Sequence, residues 1–348
     1  MKESNVKSFL TLQEMLEMKK NRPKPKYLFS GVKEKSFGLI FGPSKSGKTI
    51  FCENLAMSLA CGMNEFFGYT LDGIPKKVLF VGLEEFWENR VERNEKQFDV
   101  LSENDQNLVA KNYLFQSTKF TNKIYKDQDW QDLKKMITDS KAEIVFIDSI
   151  TRMNPGKLEN SADAEKVMQK LREICYSTGV TLICIHHTPK MGDNIINMDS
   201  IKGSSVFAQE SDFAIAVTQT PKKNRYVKNV FFRYAPDNDD TVKEFSIDSS
   251  TWLNFFKDVS ETELINRKDR RKNDSNRGLV IEFLNQNTSN TYKTNELVSY
   301  ITSQTSVKER QAKTYLSDLV NESKIINPSY GHYASTKFID KNKEIDEK

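Results

Sequence analysis

Glycine, lysine and threonine occur between residues 42 and 49 in a spacing that can cradle a phosphate group. The segment reads Gly42-x-x-x-x-Gly47-Lys48-Thr49, follows an apolar run and precedes an apolar helical pattern that ends near Gly62. Glycines let successive backbone N–H groups face a phosphate, and the helix N-terminus adds the positive end of its dipole. An ordinary glycine turn is the alternative. The predicted phosphate loop consists of Gly42, Pro43, Ser44, Lys45, Ser46, Gly47, Lys48, Thr49 and Ile50.

The last two residues of the motif have distinct predicted roles. Lys48 is predicted to reach the β- and γ-phosphates of a nucleotide as a catalytic residue, and Thr49 is predicted to ligate Mg²⁺. Asp148 is the second predicted metal ligand, because the apolar pattern Ile144–Ile147 ends in that carboxylate. The alternative for Asp148 is a cap or turn residue before Ser149. The loop therefore predicts ATP as the substrate and Mg²⁺ as its cofactor.

Two adjacent acids, Glu84 and Glu85, follow another apolar run. Hydrolysis requires a group that orients water in line with the γ-phosphate, and a Glu at the carboxyl end of a neighbouring strand can do this. We predict Glu84 as this base, because Glu85 can equally begin the charged face of the helix that carries Arg90 and Arg93. The alternative is that both acids are solvated residues at a helix start, where the helix dipole favours them.

Two adjacent histidines, His186 and His187, follow the apolar run Thr181–Ile185. The pair does not predict a zinc site, because neighbouring residues on a strand point to opposite faces and no third ligand has suitable spacing. A polar side chain at this strand end can sense the γ-phosphate and pass the signal to the following loop. The alternative is one buried and one exposed structural histidine.

The pattern around these candidates predicts the sheet that must position them. Strands alternating with helices, the clearest helix being Ser161–Tyr176, predict an α/β fold with a mostly parallel sheet. Such sheets bind ligands at the carboxyl ends of their strands, where the candidates lie. Hairpin patterns from about residue 213 to 255 predict an antiparallel extension. The runs that suit buried parallel strands are Phe37–Phe41, Val78–Val81, Ile144–Ile147 and Thr181–Ile185.

The order of these patterns also predicts the domain organisation. The predicted parts are an N-terminal helix or arm at 1–25, an α/β domain at 26–256, a basic linker at 257–276, a small domain at 277–338 and a disordered tail at 339–348.

Composition narrows the class of protein. The net charge of +4 is too small to indicate a polyanionic partner by itself, although residues 266–277 carry six basic side chains against two acidic ones. No apolar run is long enough to span a membrane, and the N-terminus lacks the apolar region of a secretory signal. The four cysteines are scattered without metal-ligand spacing. These features predict a cytoplasmic protein with buried free cysteines and no membrane partner.

The ordered set of motifs resembles RepA-type ATPases, an AAA_25-like family. The set comprises the phosphate loop, Glu84, the strand ending in Asp148, the segment His186-His187-Thr188-x-Lys190, and Lys202-Gly203-Ser204-Ser205, within residues 8–255. RepA-type ATPases are RecA-like hexameric helicases and their relatives, mostly from plasmids and mobile elements. The resemblance implies a RecA-like core, Glu84 as the catalytic base and His187 as the γ-phosphate sensor. It also implies that Lys190 and Lys202 flank a loop that contacts single-stranded DNA, although the family often has Arg where this chain has Lys202.

A second departure lies in the late hairpin. Phe231-Phe232-Arg233-Tyr234-Ala235-Pro236 stands where the family has Lys-x-Arg-Tyr-x-Pro, so the Lys is missing. The resemblance implies that Arg233 is a catalytic finger for the ATP of a neighbouring subunit, with Arg225 in reserve; the alternative is a surface hairpin arginine. A finger acting on a neighbour requires a homo-oligomer, and the family implies a hexamer.

The C-terminal region resembles a winged helix. Helical patterns fill much of residues 277–322, and the segment from Lys324 to Tyr333 predicts a β-hairpin wing. A helix is predicted to open with a capping box at Ser306 and to run to about Glu322. Its predicted exposed basic residues, for contact with duplex DNA, are Lys308, Arg310 and Lys313. Winged helices also dock proteins, so this function remains open.

Three functions are consistent with these predictions. The first is a DNA-dependent ATPase, namely a ring helicase for plasmid or mobile-element replication. The second is an ATP-switched DNA-binding regulator or recombination mediator that does not unwind DNA. The third is a small-molecule kinase, which is weakest because Glu84 and His187 are placed for hydrolysis and sensing. The sequence does not separate the first two.

Overall fold

The chain divides into two compact units, Met1–Ile265 and Asn266–Lys348. The first unit carries the predicted phosphate loop, and the second carries the predicted small domain. The computed structural model describes residues 9–20, 22–24, 26–154, 161–189, 195–201, 206–220, 223–236, 240–266 and 270–338.

The first unit alternates strands and helices along most of its length. Its helices are α1 (Leu12–Lys20), α2 (Lys48–Cys61), α3 (Trp87–Phe98), α4 (Glu103–Asn112), α5 (Asp127–Ser140), α6 (Ser161–Thr178), α7 (Val206–Glu210) and α8 (Glu261–Asn266), the last of which ends one residue into the second unit. Its strands are β1 (Tyr27–Phe29), β2 (Val32–Lys33), β3 (Phe37–Gly42), β4 (Glu65–Phe66), β5 (Tyr69–Thr70), β6 (Val78–Gly82), β7 (Tyr113–Phe115), β8 (Ile144–Asp148), β9 (Thr181–His187), β10 (Phe213–Gln219), β11 (Arg225–Phe232), β12 (Thr241–Ile247) and β13 (Leu253–Ser260).

Within the described residues, nine of these strands form one sheet in the order β13-β12-β11-β10-β3-β9-β8-β6-β7. The pairings from β10 to β7 are parallel, and those from β10 to β13 are antiparallel. The predicted α/β class with a mostly parallel, RecA-like sheet and an antiparallel extension is therefore confirmed. β9 lies between β3 and β8, so the strand of the two histidines separates the phosphate-loop strand from the strand of Asp148.

The central parallel strands are buried on both faces because most of their residues are apolar on both faces. Successive residues of one strand belong to two separate apolar clusters, as Leu79 and Phe80 of β6 do. One cluster includes residues of α5 and α6, and the other includes residues of α2 and α4. α2 is itself buried nearly all round, as expected for a helix without a polar face. The core thus fixes the carboxyl ends of the central strands.

The second unit has three further helices and a small sheet. The helices are α9 (Arg270–Gln286), α10 (Thr294–Gln304) and α11 (Glu309–Asn321), and the strands are β14 (Tyr292–Lys293), β15 (Ile325–Ser329) and β16 (His332–Ser335). The strands pair in the order β14-β16-β15. Ten buried residues, among them Leu297 and Leu316, form the core of this unit. The unit therefore has its own apolar core.

Two predicted boundaries differ from the structure. The described part of the predicted linker, 257–276, holds the end of β13, α8 and the start of α9. Charged residues such as Lys, Arg and Glu are good helix formers, so a charge-rich composition does not exclude helix. α11 begins at Glu309 rather than at Ser306, because Thr305 Oγ1 accepts the N–H of Val307 at 3.2 Å and keeps those residues outside the helix. The predicted disordered tail, 339–348, lies outside the described residues.

The cysteines are free and buried, as predicted: Cys52, Cys61, Cys175 and Cys184. None of the described helices combines the length and the apolarity needed to cross a membrane.

Candidate nucleotide-binding site

The phosphate loop joins the end of β3 to the start of α2, and two glycines are required by its geometry. A Cβ atom on Gly42 would lie 2.0 Å from the carbonyl oxygen of Val217 on the adjacent strand. Gly47 caps α2 with a φ of 106°, a conformation that side chains other than glycine rarely adopt. The backbone can therefore curl closely over the N-terminus of a buried helix, which is suited to an anion.

Lys48 is almost fully buried at the first position of α2. Its Nζ donates to the carbonyl oxygens of Gly42 and Pro43, each at 2.9 Å. Burial lowers the pKa of Lys48 to about 8, against the opposing effect of the carboxylates of Asp148 and Glu84. The ammonium is thus held across the loop by neutral oxygens, and a bound phosphate would supply the negative charge that it lacks.

Thr49 and Asp148 meet at the carboxyl end of β8. The hydroxyl of Thr49 donates to Asp148 Oδ2 at 2.8 Å. Burial raises the pKa of Asp148 to about 6, and the hydrogen bond from Thr49 only partly opposes this effect. A carboxylate that is desolvated and paired only with a hydroxyl gains from a nearby cation.

The chemistry of these two donors fits Mg²⁺. Among the described residues, no three His, Cys, Asp or Glu side chains are grouped as a metal site. Mg²⁺ does not need such a group, because it keeps several waters and takes other oxygens from phosphates and one or two carboxylates. Thr49 and Asp148 are therefore the residues that would hold the ion.

Glu84 follows β6 and is surrounded by donors. Its Oε1 accepts hydrogen bonds from Thr151 Oγ1 at 2.7 Å and from Ser149 Oγ, and it lies 3.3 Å from His187 Nε2. The hydrogen bond from His187, followed by those from Ser149 and Thr151, lowers the pKa of Glu84 to about 2, against the effect of burial. Glu84 is therefore ionised at neutral pH, and its Oε2 receives no hydrogen bond from a described residue.

Glu85 lies in a different environment from its neighbour. It accepts hydrogen bonds from Arg90 and from Arg93, and Arg93 also binds the fully buried Glu53 at 2.6 Å. Arg90 packs over the ring of Phe80, with its guanidinium carbon 4.6 Å from the ring centre. This ion-pair network connects α3 to α2. Glu85 is therefore held by arginines, whereas Glu84 is held by the hydroxyls of Ser149 and Thr151 and by His187.

A single cleft of about 410 Å³ brings these groups together, a volume within the usual range for ligand sites. It lies beside the carboxyl ends of β3, β6, β8 and β9, as expected for an α/β sheet. Its lining residues are Ser44, Lys45, Gly47, Lys48, Thr49, Ile50, Glu84, Glu85, Arg93, Asp148, Ile185, His187, Arg225 and Ile247.

Comparison with known families matches residues 3–193 to AAA_25, an AAA domain family. The match spans more than half of the chain and includes Lys48, Glu84, Asp148 and His187. The chain belongs to this AAA domain family. Membership, together with the phosphate loop inside the matched residues, makes it an ATPase, and the resemblance to an AAA_25-like family is confirmed.

Two further comparisons concern individual proteins. The crystal structure of the KaiC-like protein PH0186 from the hyperthermophilic archaeon Pyrococcus horikoshii OT3 is similar to this chain with a TM-score of 0.48 and 20% identity. The similarity covers 66% of this chain and 94% of that chain. No sequence match was found among curated proteins.

Within this AAA-domain ATPase, the structure places most of the residues predicted for nucleotide binding, metal binding and catalysis in one cleft. Gly42, Pro43 and Ser46 belong to the loop without lining the cleft. His186 is buried and His187 is partly exposed, as alternation along a strand requires. Lys190 and Lys202 lie outside the described residues.

The two predicted arginines differ in position. Arg233 lies outside the cleft, where its guanidinium donates to the carbonyl oxygens of Gln209 and Ser211 and pairs with Asp212 at 3.4 Å. Arg225, the reserve candidate for a finger into a neighbouring site, instead lines the cleft of its own chain. β10 and β11 bring it there, a tertiary effect that the local hairpin pattern did not reveal.

Several residues of the site were not predicted. Ser149 and Thr151 contact Glu84 from the turn after β8, and Glu53 and Arg93 connect two helices beside the cleft. The only sequence signal for Ser149 and Thr151 was their position after Asp148, where polar residues at strand ends are common.

Proposed function

We propose that this AAA-domain ATPase is a DNA-dependent, Mg-ATP-hydrolysing ring helicase that acts in plasmid or mobile-element replication. The observation that supports it best is the 3.3 Å contact between His187 Nε2 and Glu84 Oε1. His187 ends the strand that leads into the segment for which the family resemblance implies contact with single-stranded DNA. A DNA-driven movement of that segment would therefore act directly on the carboxylate proposed as the base.

The proposed reaction assigns one task to each group in the cleft. Lys48 leaves the carbonyl oxygens of its loop for the β- and γ-phosphates. Mg²⁺ held by Thr49 and Asp148 would neutralise charge on the phosphate oxygens. Glu84 orients the attacking water and accepts its proton, for which an ionised carboxylate with an unshared oxygen is suited. His187 reports the γ-phosphate by exchanging its contact with Glu84 for one with the nucleotide.

The second unit supports a role on duplex DNA. Its order of elements, a helix, a short strand, two helices and a β-hairpin, agrees with the proposed winged-helix fold. α11 buries Ala312, Leu316 and Leu319 and leaves Arg310 and Lys313 exposed, with Lys308 exposed at its N-cap. An exposed basic row on a helix with one buried face is suited to a groove of DNA.

A hexamer is part of the proposal. The guanidinium of Arg233 is fixed by backbone carbonyls and Asp212, and the side chain is 43% exposed. Such a group can present a positive charge to the ATP of a neighbouring copy without contacting its own cleft.

The first experiment measures steady-state ATP hydrolysis by the full-length chain with and without single-stranded DNA, together with unwinding of a forked duplex. Stimulated hydrolysis and fork opening support the helicase. Slow hydrolysis that single strands do not change, with no fork opening, contradicts it; duplex binding under those conditions identifies the ATP-switched regulator instead.

The proposed duplex contacts have a matched control. Replacing Lys308, Arg310 and Lys313 with Gln is expected to weaken duplex binding and its salt dependence, because three phosphate contacts are lost. Lys111, Lys119 and Lys123 are exposed lysines of the first unit, and their replacement with Gln removes the same charge. Equal weakening by both triple variants would contradict a specific role for α11.

A further inference from the structure

A buried carboxylate lies outside the cleft, at the start of α8. Glu261 is fully buried, and its Oε1 accepts hydrogen bonds from the hydroxyl of Tyr226 at 2.8 Å and from the N–H of Ile196 at 3.0 Å. Its Oε2 pairs with the ammonium of Lys228. Both carboxylate oxygens are therefore used, by donors from β11 and from the segment Ile195–Ile201.

A buried, paired carboxylate of this kind fixes the positions of its partners but adds little to the free energy of folding. Burying a carboxylate is costly, and a paired buried charge is often no more stable than an apolar side chain of the same size. Burial, and then the charge of Glu261, raise the pKa of Tyr226, so the phenol remains a hydrogen-bond donor. The carboxylate therefore fixes the positions of the groups around it, at the expense of an apolar contact.

Glu261 fixes the backbone of the loop segment Ile195–Ile201 through the N–H of Ile196. Ile196 is fully buried and Ile201 nearly so, in the same apolar cluster as Leu264 of α8. A short 3-10 turn, Met198–Ser200, lies between the two isoleucines. The hydrogen bond to Glu261 holds this segment at its first buried residue.

The same segment is connected to the nucleotide cleft on two sides. Along the chain it comes after β9, and Thr188, the first residue beyond that strand, donates its N–H to the carbonyl oxygen of Gly42 in the phosphate loop at 3.0 Å. Through β11, Tyr226 contacts Glu261 while the preceding residue, Arg225, lines the cleft. The tyrosine that contacts Glu261 is therefore the strand neighbour of a residue that lines the nucleotide cleft.

We propose that Glu261 is a positioning residue that fixes the Ile195–Ile201 segment to β11 and thereby makes the response of ATP hydrolysis to single-stranded DNA depend on that segment. The part that concerns DNA rests on the proposed function. The anchoring of the segment by Glu261 does not rest on the proposed function, and hydrogen exchange measures it separately.

Hydrogen exchange of the full-length, nucleotide-free protein tests the anchor. The amide of Ile196 is expected to be protected like the amides of β11, although it belongs to a loop. Glu261→Asp keeps the charge but withdraws the carboxylate by about one carbon–carbon bond length. Loss of one hydrogen bond to a charged group is expected to raise exchange at Ile196 about tenfold or more. Glu261→Gln keeps the length and one acceptor oxygen and is expected to restore protection.

Hydrolysis by the same variants tests the coupling, with oligo-dT as the single-stranded DNA. Glu261→Asp is expected to leave the basal kcat and the KM for ATP within about threefold of the wild type and to lose most of the stimulation. Glu263→Gln, on the exposed side of the same helix, is the matched control.

Three results would overturn the inference. The first is free exchange of the Ile196 amide in the wild type. The second is an exchange rate at Ile196 that Glu261→Asp leaves unchanged. The third is faster exchange in Glu261→Asp while oligo-dT stimulates its hydrolysis as much as that of the wild type. If oligo-dT does not stimulate the wild type, the proposed function fails, and raised exchange in Glu261→Asp then supports the anchor by itself. If Glu261→Asp does not fold, exchange of the Ile196 amide in the wild type still tests the anchor.

Discussion

At the carboxyl edge of the sheet, Asp148 ends β8 and Glu84 follows the neighbouring strand β6, yet their surroundings shift their pKa values in opposite directions. Asp148 is 4% exposed and has one hydroxyl donor, so burial raises its pKa to about 6. The side chain of Glu84 is 33% exposed and meets three donors, so hydrogen bonds lower its pKa to about 2. Strand order brings both acids to the edge, but burial raises the pKa of one and hydrogen-bond donors lower the pKa of the other.

The difference separates the cleft into two regions. The phosphate-loop region, with Lys48 and Asp148, holds a buried cation and a buried acid whose ionised forms are both disfavoured by burial. In the second region, the carboxylate of Glu84 is already ionised and accepts hydrogen bonds. Ligand binding is therefore expected to change the first region more, and loss of a side chain in the second is expected to affect turnover more than binding.

The largest effect is expected for Lys48→Ala. The ammonium is predicted to make charge-assisted hydrogen bonds to two phosphates, each contributing about 1.5–3 kcal/mol. Hydrolysis should therefore fall in kcat/KM by about 10²–10⁴-fold, with a large loss in ATP affinity by calorimetry. Lys45→Ala, which removes an exposed lysine of the same loop, should lose far less. Equal losses for both variants would show that the loop responds only to net charge.

Glu84→Gln is expected to reduce kcat by about 10²–10³-fold while ATP still binds, because a positioned base contributes about that much. Single-turnover hydrolysis and equilibrium binding of ATP separate the two quantities. Glu85→Gln is the matched control, since Glu85 binds Arg90 and Arg93. It should lower the unfolding temperature and change kcat by only about a few-fold. The opposite pattern would make Glu85 the base.

Asp148→Asn is expected to abolish metal-dependent hydrolysis and yet to stabilise the nucleotide-free protein at neutral pH. The folded pKa of about 6 exceeds the usual value of 3.8, so the folded state binds the proton more tightly than the unfolded state. Stability due to this group is present below about pH 4, falls as the pH rises to about 6 and then stays constant. The difference between wild type and variant should reach about 1–3 kcal/mol.

Urea unfolding of both proteins from pH 4 to pH 8, without nucleotide, measures this difference. Other titrating groups cancel because they are common to the two proteins. A wild type that gains stability relative to Asp148→Asn as the pH rises would mean that Asp148 is compensated by a cation-like partner, contrary to its position in the structure.

The sequence predicted the parts of the site that depend on local order. The phosphate loop is a contiguous segment, and short apolar runs that end in Asp148 or His187 predict buried strands because no helix of that length would bury both faces. The positions of Ser149, Thr151 and Arg225 in the site depend on which strands become neighbours, and a local sequence pattern does not reveal that. The helices within the predicted linker were missed for a related reason: a high density of charged residues indicates exposure to solvent but does not distinguish a helix from a coil.

The smallest effect is expected for His187→Gln, which keeps a donor at the end of β9. Glu84 would retain hydrogen bonds from Ser149 and Thr151 in either case, so kcat should fall less than about tenfold. His187→Ala removes the donor and should affect DNA stimulation more than basal turnover.

The pH dependence of turnover gives the sharper distinction. Loss of the His187 contact should raise the pKa of Glu84 toward 4.5, so the acid limb of the pH profile in His187→Ala should move to higher pH. An acid limb at the same pH in wild type and His187→Ala would show that His187 does not control the ionisation of Glu84, and the low pKa of Glu84 would then be due to the hydroxyls of Ser149 and Thr151.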